Sequence, residues 1–431
     1  MFRKIVIISI NCLLCSVVQA QQSLAERYNL PQYDCEQKFL MEQNKAIIII
    51  PDDSTMVWSY AKNIKESAAS AGFGMTIKTE SQLLKTDLDS TLWIIGPIAD
   101  YSHWDRFGIP IEKLRHGFKI GKFSFKEPSY GFSYASPTGF SPFRLVTSGN
   151  SLNAYEKVNN MPYSSFGFEY VVLNNAVPEL IGDSSHIVDL GALKKSLYIS
   201  RKSKYYDFMI SKNLNSEDLE KVNDVEMEKC DKQIEAFAKK LELSLPKNKI
   251  KTYIHATQDE IKYFSGVFGA LCGGTVNGFA TGDDEIHSWK WENVGIIEHE
   301  SIHHLFNPQV NKMPVTFLSE GVPTWYNYTM HAEEKERGFQ QAIELIDHDL
   351  TDVICGKENF YQGDKYYLIS GIFMDYLINT YGLNKFKELY KYNTRDILSG
   401  FEKTYGKSLS EILVEYKNWL LSKVSDKNLN Q

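Results

Sequence analysis

Net positive charge is absent from this 431-residue chain: Lys+Arg 47 against Asp+Glu 54 leaves −7 at pH 7. With no basic run either, there is no electrostatic footprint for nucleic acid or for an anionic membrane surface. Cysteine is limited to 6, at spacings that match neither a zinc ribbon nor a redox pair. No glycine-rich phosphate fingerprint occurs, and Thr147-Ser148-Gly149-Asn150, between a strand and a helix pattern, reads as a plain turn. Beyond the first twenty residues no apolar run is long enough to span a bilayer. What is present is ordinary globular material. The 43% hydrophobic and 23% charged content, with Tyr 25 and Phe 24, suits two or three domains with sizeable cores.

The first twenty residues differ in kind. Arg3 and Lys4 precede the apolar run Ile5–Leu14, and Val18-Gln19-Ala20 places small residues where a signal peptidase reads. This pattern predicts a cleaved signal peptide over 1–20 and a secreted or periplasmic mature chain starting near Gln21. Cys35, Cys230, Cys272 and Cys355 then remain. Export permits disulfides among them, and their pairing stays open.

From Lys45 the sequence alternates strand and helix patterns. Strands are expected at 45–50, 75–80, 91–96, 120–126, 143–149 and 169–175, with a helix over 56–71 ending at Gly72. The Gly-, Ser- and Tyr-rich part near 129–142 reads as a long loop or hairpin. The expectation is an α/β domain over 21–200 with a binding or positioning role. A polar stretch around 200–215 reads as a boundary, followed by a long helix from Ser216 to about Leu243, a strand at 251–256 and a helix at 258–265. The Gly-rich GGTVNGFATG (273–282) suits an exposed edge strand.

The segment Val294–Pro308, VGIIEHESIHHLFNP, holds three of the chain's 10 histidines. As a helix over 293–307 with Asn293 as N-cap, it places His299 and His303 four apart on one face. Two imidazoles so placed can meet one tetrahedral zinc. Glu300 stands about 100° round the helix from His299. It flanks such a metal without ligating it and can hydrogen-bond a water at the open position. His304 points away. Val294, Ile297, Ile302 and Leu305 form an apolar back for burial.

Two histidines need a third protein ligand. TFLSEGVPTWYNY (316–328) supplies Glu320, expected to begin a second helix capped by Ser319 or Thr316. A carboxylate there completes a His₂Glu set with one open position.

His299-Glu300-Ser301-Ile302-His303 followed by Leu318-Ser319-Glu320-Gly321 resembles the gluzincin class of zinc metallopeptidases, the peptidase MA-like group. NGFATGDDEI (277–286) is similar to the glycine-bearing strand that borders the substrate cleft in that class. YYLISGIFMDYLINTYG (366–382) and FEKTYGKSLSEILVEYKNWL (401–420) resemble the helical tail of such domains. The resemblance covers roughly 205–425. It implies an α+β zincin-like catalytic domain over 201–431 with a helical C-terminal lobe, behind the N-terminal α/β domain.

It also implies Zn²⁺ as cofactor, Glu300 as general base, and a peptide or protein substrate. A tyrosine or histidine beyond the glutamate ligand would steady the oxyanion, with Tyr367 the first candidate beside Tyr366 and His331. Two departures stand out. Sixteen residues separate His303 from Glu320, a short spacing for the class, and Thr324 occupies the position where some members carry an aspartate supporting a zinc histidine. The alternative reading is a catalytically inactive or structural peptide- or protein-binding module on a peptidase-like fold. A structural site, however, would have no use for Glu300.

Overall fold

In this computed structural model the described residues are 23–31, 45–70, 72–137, 141–159, 168–183, 185–266, 275–281, 285–291, 294–311, 314–358, 360 and 365–429. The expected leader, Cys35, Cys272 and Asn293 lie outside them. The chain forms two compact units: residues 1–197 with 257–276, and residues 198–256 with 277–431.

The first unit is built on eleven strands: β1 (Lys45–Ile50), β2 (Gly74–Thr79), β3 (Leu92–Pro97), β4 (Glu112–Lys113), β5 (Phe118–Ile120), β6 (Phe123–Phe125), β7 (Tyr130–Ala135), β8 (Arg144–Gly149), β9 (Tyr170–Asn174), β10 (Val177–Gly182) and β11 (Ile187–Asp189). Eight of them form one sheet in the order β11-β10-β9-β7-β8-β3-β1-β2. The half from β2 to β8 is parallel and the half from β8 to β11 antiparallel. Helices α1 (Thr55–Ser70), α2 (Leu152–Asn159) and α3 (Leu190–Leu197) accompany it.

The alternation of side chains along β1 explains why this sheet is covered on both faces. Ile48 and Ile50 pack with Val57 and Ala61 of α1, while Ile49 points the other way among Tyr101, Trp104 and Phe107. Each fully buried isoleucine contributes about 1.5–3 kcal/mol of hydrophobic stabilisation.

Two expectations for this unit need correction. The run 120–126 is not one strand, because Gly121, at φ 54°, turns the chain back and makes a β5–β6 hairpin. Of the two forms expected for the stretch near 129–142, the hairpin is the one found, with β7 pairing antiparallel to the next strand, β8. Residues 130–135 form β7, inside the large sheet between β8 and β9. Phe132 and Tyr134 are buried there, so the tertiary setting overrides the weak strand propensity of Gly and Ser. The plain turn expected at 147–150 is instead the end of β8, through Gly149, where Ser148 Oγ donates to Gly96 O (2.7 Å) and Asn150 Nδ2 to Glu127 O (2.8 Å).

The second unit carries a five-stranded sheet in the order β12 (Tyr198–Lys202), β13 (Tyr206–Ser211), β14 (Ile250–His255), β16 (Glu285–Trp289), β15 (Gly278–Thr281). The polar stretch near 200–215, read as a boundary, is largely the β12–β13 pair that opens the second unit at Tyr198. One long helix is not formed from Ser216. A short helix, Ser216–Lys221, ends before Asn223, whose side chain caps α4 (Asp224–Lys240) by accepting from Val225 N and Glu226 N. Gln258–Ser265 is α5 and belongs to the first unit.

Helices α6 (Val294–Val310), α7 (Thr316–Met330), α8 (Ala332–Glu344), α9 (Lys365–Tyr381), α10 (Leu383–Tyr390), α11 (Ile397–Tyr405) and α12 (Leu409–Leu429) follow. The content is thus mixed α/β with a helical C-terminal region. One aromatic-rich core, including Phe306, Phe317, Phe373, Tyr376, Tyr390 and Tyr416, binds these helices to the sheet. Cys230 and Cys355 are buried thiols. No helix among the described residues is long and apolar enough to cross a membrane.

Candidate metal centre

Helix α6 buries Ile297, Ile302, Leu305 and Phe306, each 3% exposed or less. That apolar surface fixes the helix in the core and leaves His299 and His303 on a stripe that remains partly open. On one side of α6 lies the edge strand β15. Gly278 on β15 carries no Cβ, and the Ile296 side chain occupies the space one would need. This close approach brings the backbone N–H of Ala280 to the Glu300 carboxylate.

Glu320 arrives on α7. The helix does not begin at Glu320 as expected. It begins at Thr316, after Pro314, with Val315 at the N-cap and no side-chain cap, while Leu318 N and Ser319 N bond back to Val315 O. Glu320 is thereby held one turn inside a rigid helix. Helices α7 and α9 pack closely because Gly321 admits Met374 and Ser370, and Gly371 admits Thr324 and Tyr328.

His299, His303 and Glu320 form the one cluster of metal-ligating side chains found among the described residues. Glu320 Oε2 lies 3.1 Å from His299 Nε2 and 3.5 Å from His303 Nε2, and the two Nε2 atoms are 3.1 Å apart. Ligand atoms roughly 2.0–2.1 Å from a tetrahedral zinc stand about 3.3 Å from one another. The donor set, its chemistry and its spacing fit that ion.

The electrostatics separate the two carboxylates. Burial opposes ionisation of Glu320, but the His303 and His299 imidazoles outweigh it and hold that carboxyl well below the usual range. Burial pushes Glu300 up to about 7, with Glu320 adding to the rise while His299 and the Ala280 N–H oppose it. One acid is therefore held as an anion, and the other is poised to exchange a proton near neutrality.

No protein-family model matches this chain, and no curated protein is similar enough to count as a relative.

Of the three oxyanion candidates, Tyr367 is the one beside the cluster, its ring centroid 6.5 Å from that of His299. The Tyr366 hydroxyl is engaged elsewhere, with Glu358 and with His348 Nε2 at 3.0 Å. His331 lies near Glu298, whose carboxyl burial pushes up and His331 pulls down. His304 is not part of the converging set. Thr324, whose side chain donates to Glu320 O (2.8 Å) and fills the space at Gly371, supports no histidine. Sequence reasoning missed Ser319, whose hydroxyl is 3.3 Å from His303 Nδ1. Its place beside Glu320 was the only signal.

Proposed function

We propose that this protein is a zinc-dependent metallopeptidase of the gluzincin type, with a zincin-like catalytic domain in its second unit. The observation that carries the reading is the convergence of His299, His303 and Glu320 beside a half-buried Glu300. A zinc ion held by those three would supply Lewis-acid polarisation of the scissile carbonyl and activation of a water.

The chain's own residues account for the remaining needs of amide hydrolysis. Glu300, raised towards neutrality and aligned by the Ala280 N–H, takes a proton from the attacking water and delivers it to the leaving amine. Tyr367, whose ring centroid is 6.5 Å from that of His299, would donate to the developing oxyanion, a kind of preorganised contact that often dominates catalysis. β15, the last strand in the order of its sheet among the described residues and next to Glu300, is the edge against which an extended peptide substrate would lie. Arg3, Lys4 and the apolar run behind them make the protein a candidate for export, acting in the periplasm or outside the cell.

The test is zinc content of the purified chain beside Glu320→Ala and Glu300→Gln variants, with casein and a peptide library as substrates. The expected result is about one zinc per chain, weakened by Glu320→Ala, with cleavage abolished in Glu300→Gln while its metal stays. Zinc bound as expected without cleavage of any peptide would instead support the binding-module alternative. Absence of zinc from the wild-type chain would overturn the metallopeptidase reading.

A further inference from the structure

The sequence contains a single Asn-Gly pair, Asn277-Gly278, and the fold places it at the start of β15. Asparagine is a chemically labile residue, and it is most so before glycine, where no Cβ shields the next main-chain nitrogen from the asparagine side chain. Three features of the fold leave this pair open to that reaction. The Asn277 side chain is exposed and has no hydrogen-bond partner among the described residues. Trp289 N donates to Asn277 O at 2.8 Å, and Gly278 stands opposite Ser288. Bonded and unbonded pairs alternate along an antiparallel ladder, so Gly278–Ser288 is an unbonded pair and no β16 carbonyl holds the Gly278 N–H. Packing, finally, keeps the glycine in place, because a Cβ there would lie 1.9 Å from Ile296 Cγ2 of α6. The two Asn-Ser pairs are built differently. Asn150 Nδ2 donates to Phe125 O and Glu127 O at 3.1 and 2.8 Å. Asn215 Oδ1 accepts from Asp218 N at 2.7 Å while its Nδ2 donates to Asp218 Oδ2 at 2.9 Å.

We propose that Asn277 is a self-modification site that converts to isoaspartate, with water as the only co-reactant, and so disturbs β15 beside the metal centre. The Gly278 nitrogen, its proton lost to solvent, forms a bond to Asn277 Cγ. The Cγ–Nδ2 bond breaks, and the side-chain nitrogen takes up a proton and leaves as ammonia. Water then opens the resulting five-membered imide at one of its two carbonyls. Opening at the Asn277 main-chain carbonyl breaks its bond to Gly278 N and frees it as a carboxylate. The chain then runs through Cβ and Cγ, as isoaspartate. Opening at Cγ gives aspartate instead. Isoaspartate lengthens the main chain by one carbon and adds a negative charge immediately before Gly278. The carbonyl that accepts from Trp289 N leaves the main chain, and the Gly278–Ile296 contact between β15 and α6 must shift. The effect on cleavage rests on the metallopeptidase reading above, and the modification itself does not.

The full chain is held in mildly alkaline buffer, sampled over weeks, digested and weighed, with a denatured sample as reference for the unprotected sequence. In the folded chain the Asn277 peptide should gain about 1 Da, as an NH₂ is exchanged for an OH, and should become a substrate for an isoaspartate-specific methyltransferase. The Asn150 and Asn215 peptides should stay unchanged. Asn277→Gln should show neither change and keep its initial rate of peptide cleavage, while the wild-type rate falls in step with isoaspartate. Hydrogen exchange should show lost protection over 278–281 and 285–289 in the converted chain only. An unchanged Asn277 in the folded chain, while the denatured one converts, would overturn the modification site. Conversion with unaltered protection of both strands would overturn the disturbance of β15. Conversion with lost protection in a chain that cleaves no peptide removes the peptidase reading and leaves the site standing.

Discussion

The Nε2 atoms of His299 and His303 lie 3.1 Å apart on successive turns of α6, and Glu320 Oε2 sits within 3.5 Å of both. Three electron-rich atoms so close together, partly withdrawn from water, need a shared positive charge. A proton shared with an imidazole can supply it in part, and a divalent cation supplies it to all three at once.

Removing the metal should therefore loosen the elements that carry these atoms. Binding to the folded state adds about 4.1 kcal/mol when free zinc exceeds its dissociation constant a thousandfold. Hydrogen exchange of the zinc-loaded and chelator-treated chain should show lost protection in peptides covering 294–330. Peptides from the first unit, such as 45–97, should not change. Equal loss across both would mean that the metal does not act through this cluster.

Two glycine-to-alanine changes in neighbouring helices should have opposite signs. At Gly321 an added Cβ would lie 2.8 Å from Met374 Cγ and 3.1 Å from Ser370 O. The α7–α9 contact must then open, at a cost of about 1–3 kcal/mol, and Glu320 moves with it. At Gly295, exposed on α6, an added Cβ meets nothing within 4 Å among the described residues. There the gain in helix propensity should stabilise by up to about 1 kcal/mol. Denaturant titrations of both variants give the signs, and zinc affinity should fall only in Gly321→Ala.

In the first unit the Lys78 ammonium donates to both carboxylate oxygens of Asp87, at 2.8 and 2.7 Å, and Leu84 N–H adds a third bond at 2.7 Å. The Lys78 bonds are the main reason the Asp87 carboxyl is held below the usual range. A depressed carboxyl contributes stability above its unfolded value, near pH 4, and loses it as the pH falls through the folded value. For a pair partly open to solvent the contribution is at most about 1 kcal/mol. Asp87→Asn should thus melt earlier than wild type at pH 6–7, and the gap should close below about pH 3. A gap that stayed constant down to pH 2 would contradict the assignment.

The legibility of this chain follows from how local each signal is. β1, α1 and α6 announce themselves in the sequence because their apolar residues recur at one period over several turns or in one β-branched run. The placing of His299 and His303 follows from spacing alone. β7 was only half legible: its pairing with the next strand, β8, is local, but its place inside the large sheet comes from β9 on its other side. The break at Asn223 hides in a continuous amphipathic pattern.

Adjacent tyrosines at the start of α9 separate positioning from chemistry. Tyr366 is buried, its hydroxyl donating to Glu358 and lying 3.0 Å from His348 Nε2. Tyr367 is partly exposed, packs edge-on against Phe360 at 4.8 Å and faces His299. If Tyr367 donates to the oxyanion, its hydroxyl acts only as charge develops. Tyr367→Phe should then lower kcat by about 10²–10³ with KM nearly unchanged. Zinc content and thermal midpoint should stay at wild-type values. Tyr366→Phe should do the reverse, leaving the Glu358 and His348 partners short of a hydrogen bond at a cost of about 1–3 kcal/mol in stability. Its kcat at low temperature should remain within a few-fold of wild type. Steady-state kinetics on one cleaved peptide, with calorimetry on the same samples, reads both effects. Loss of kcat in Tyr366→Phe alone would move the oxyanion role away from Tyr367.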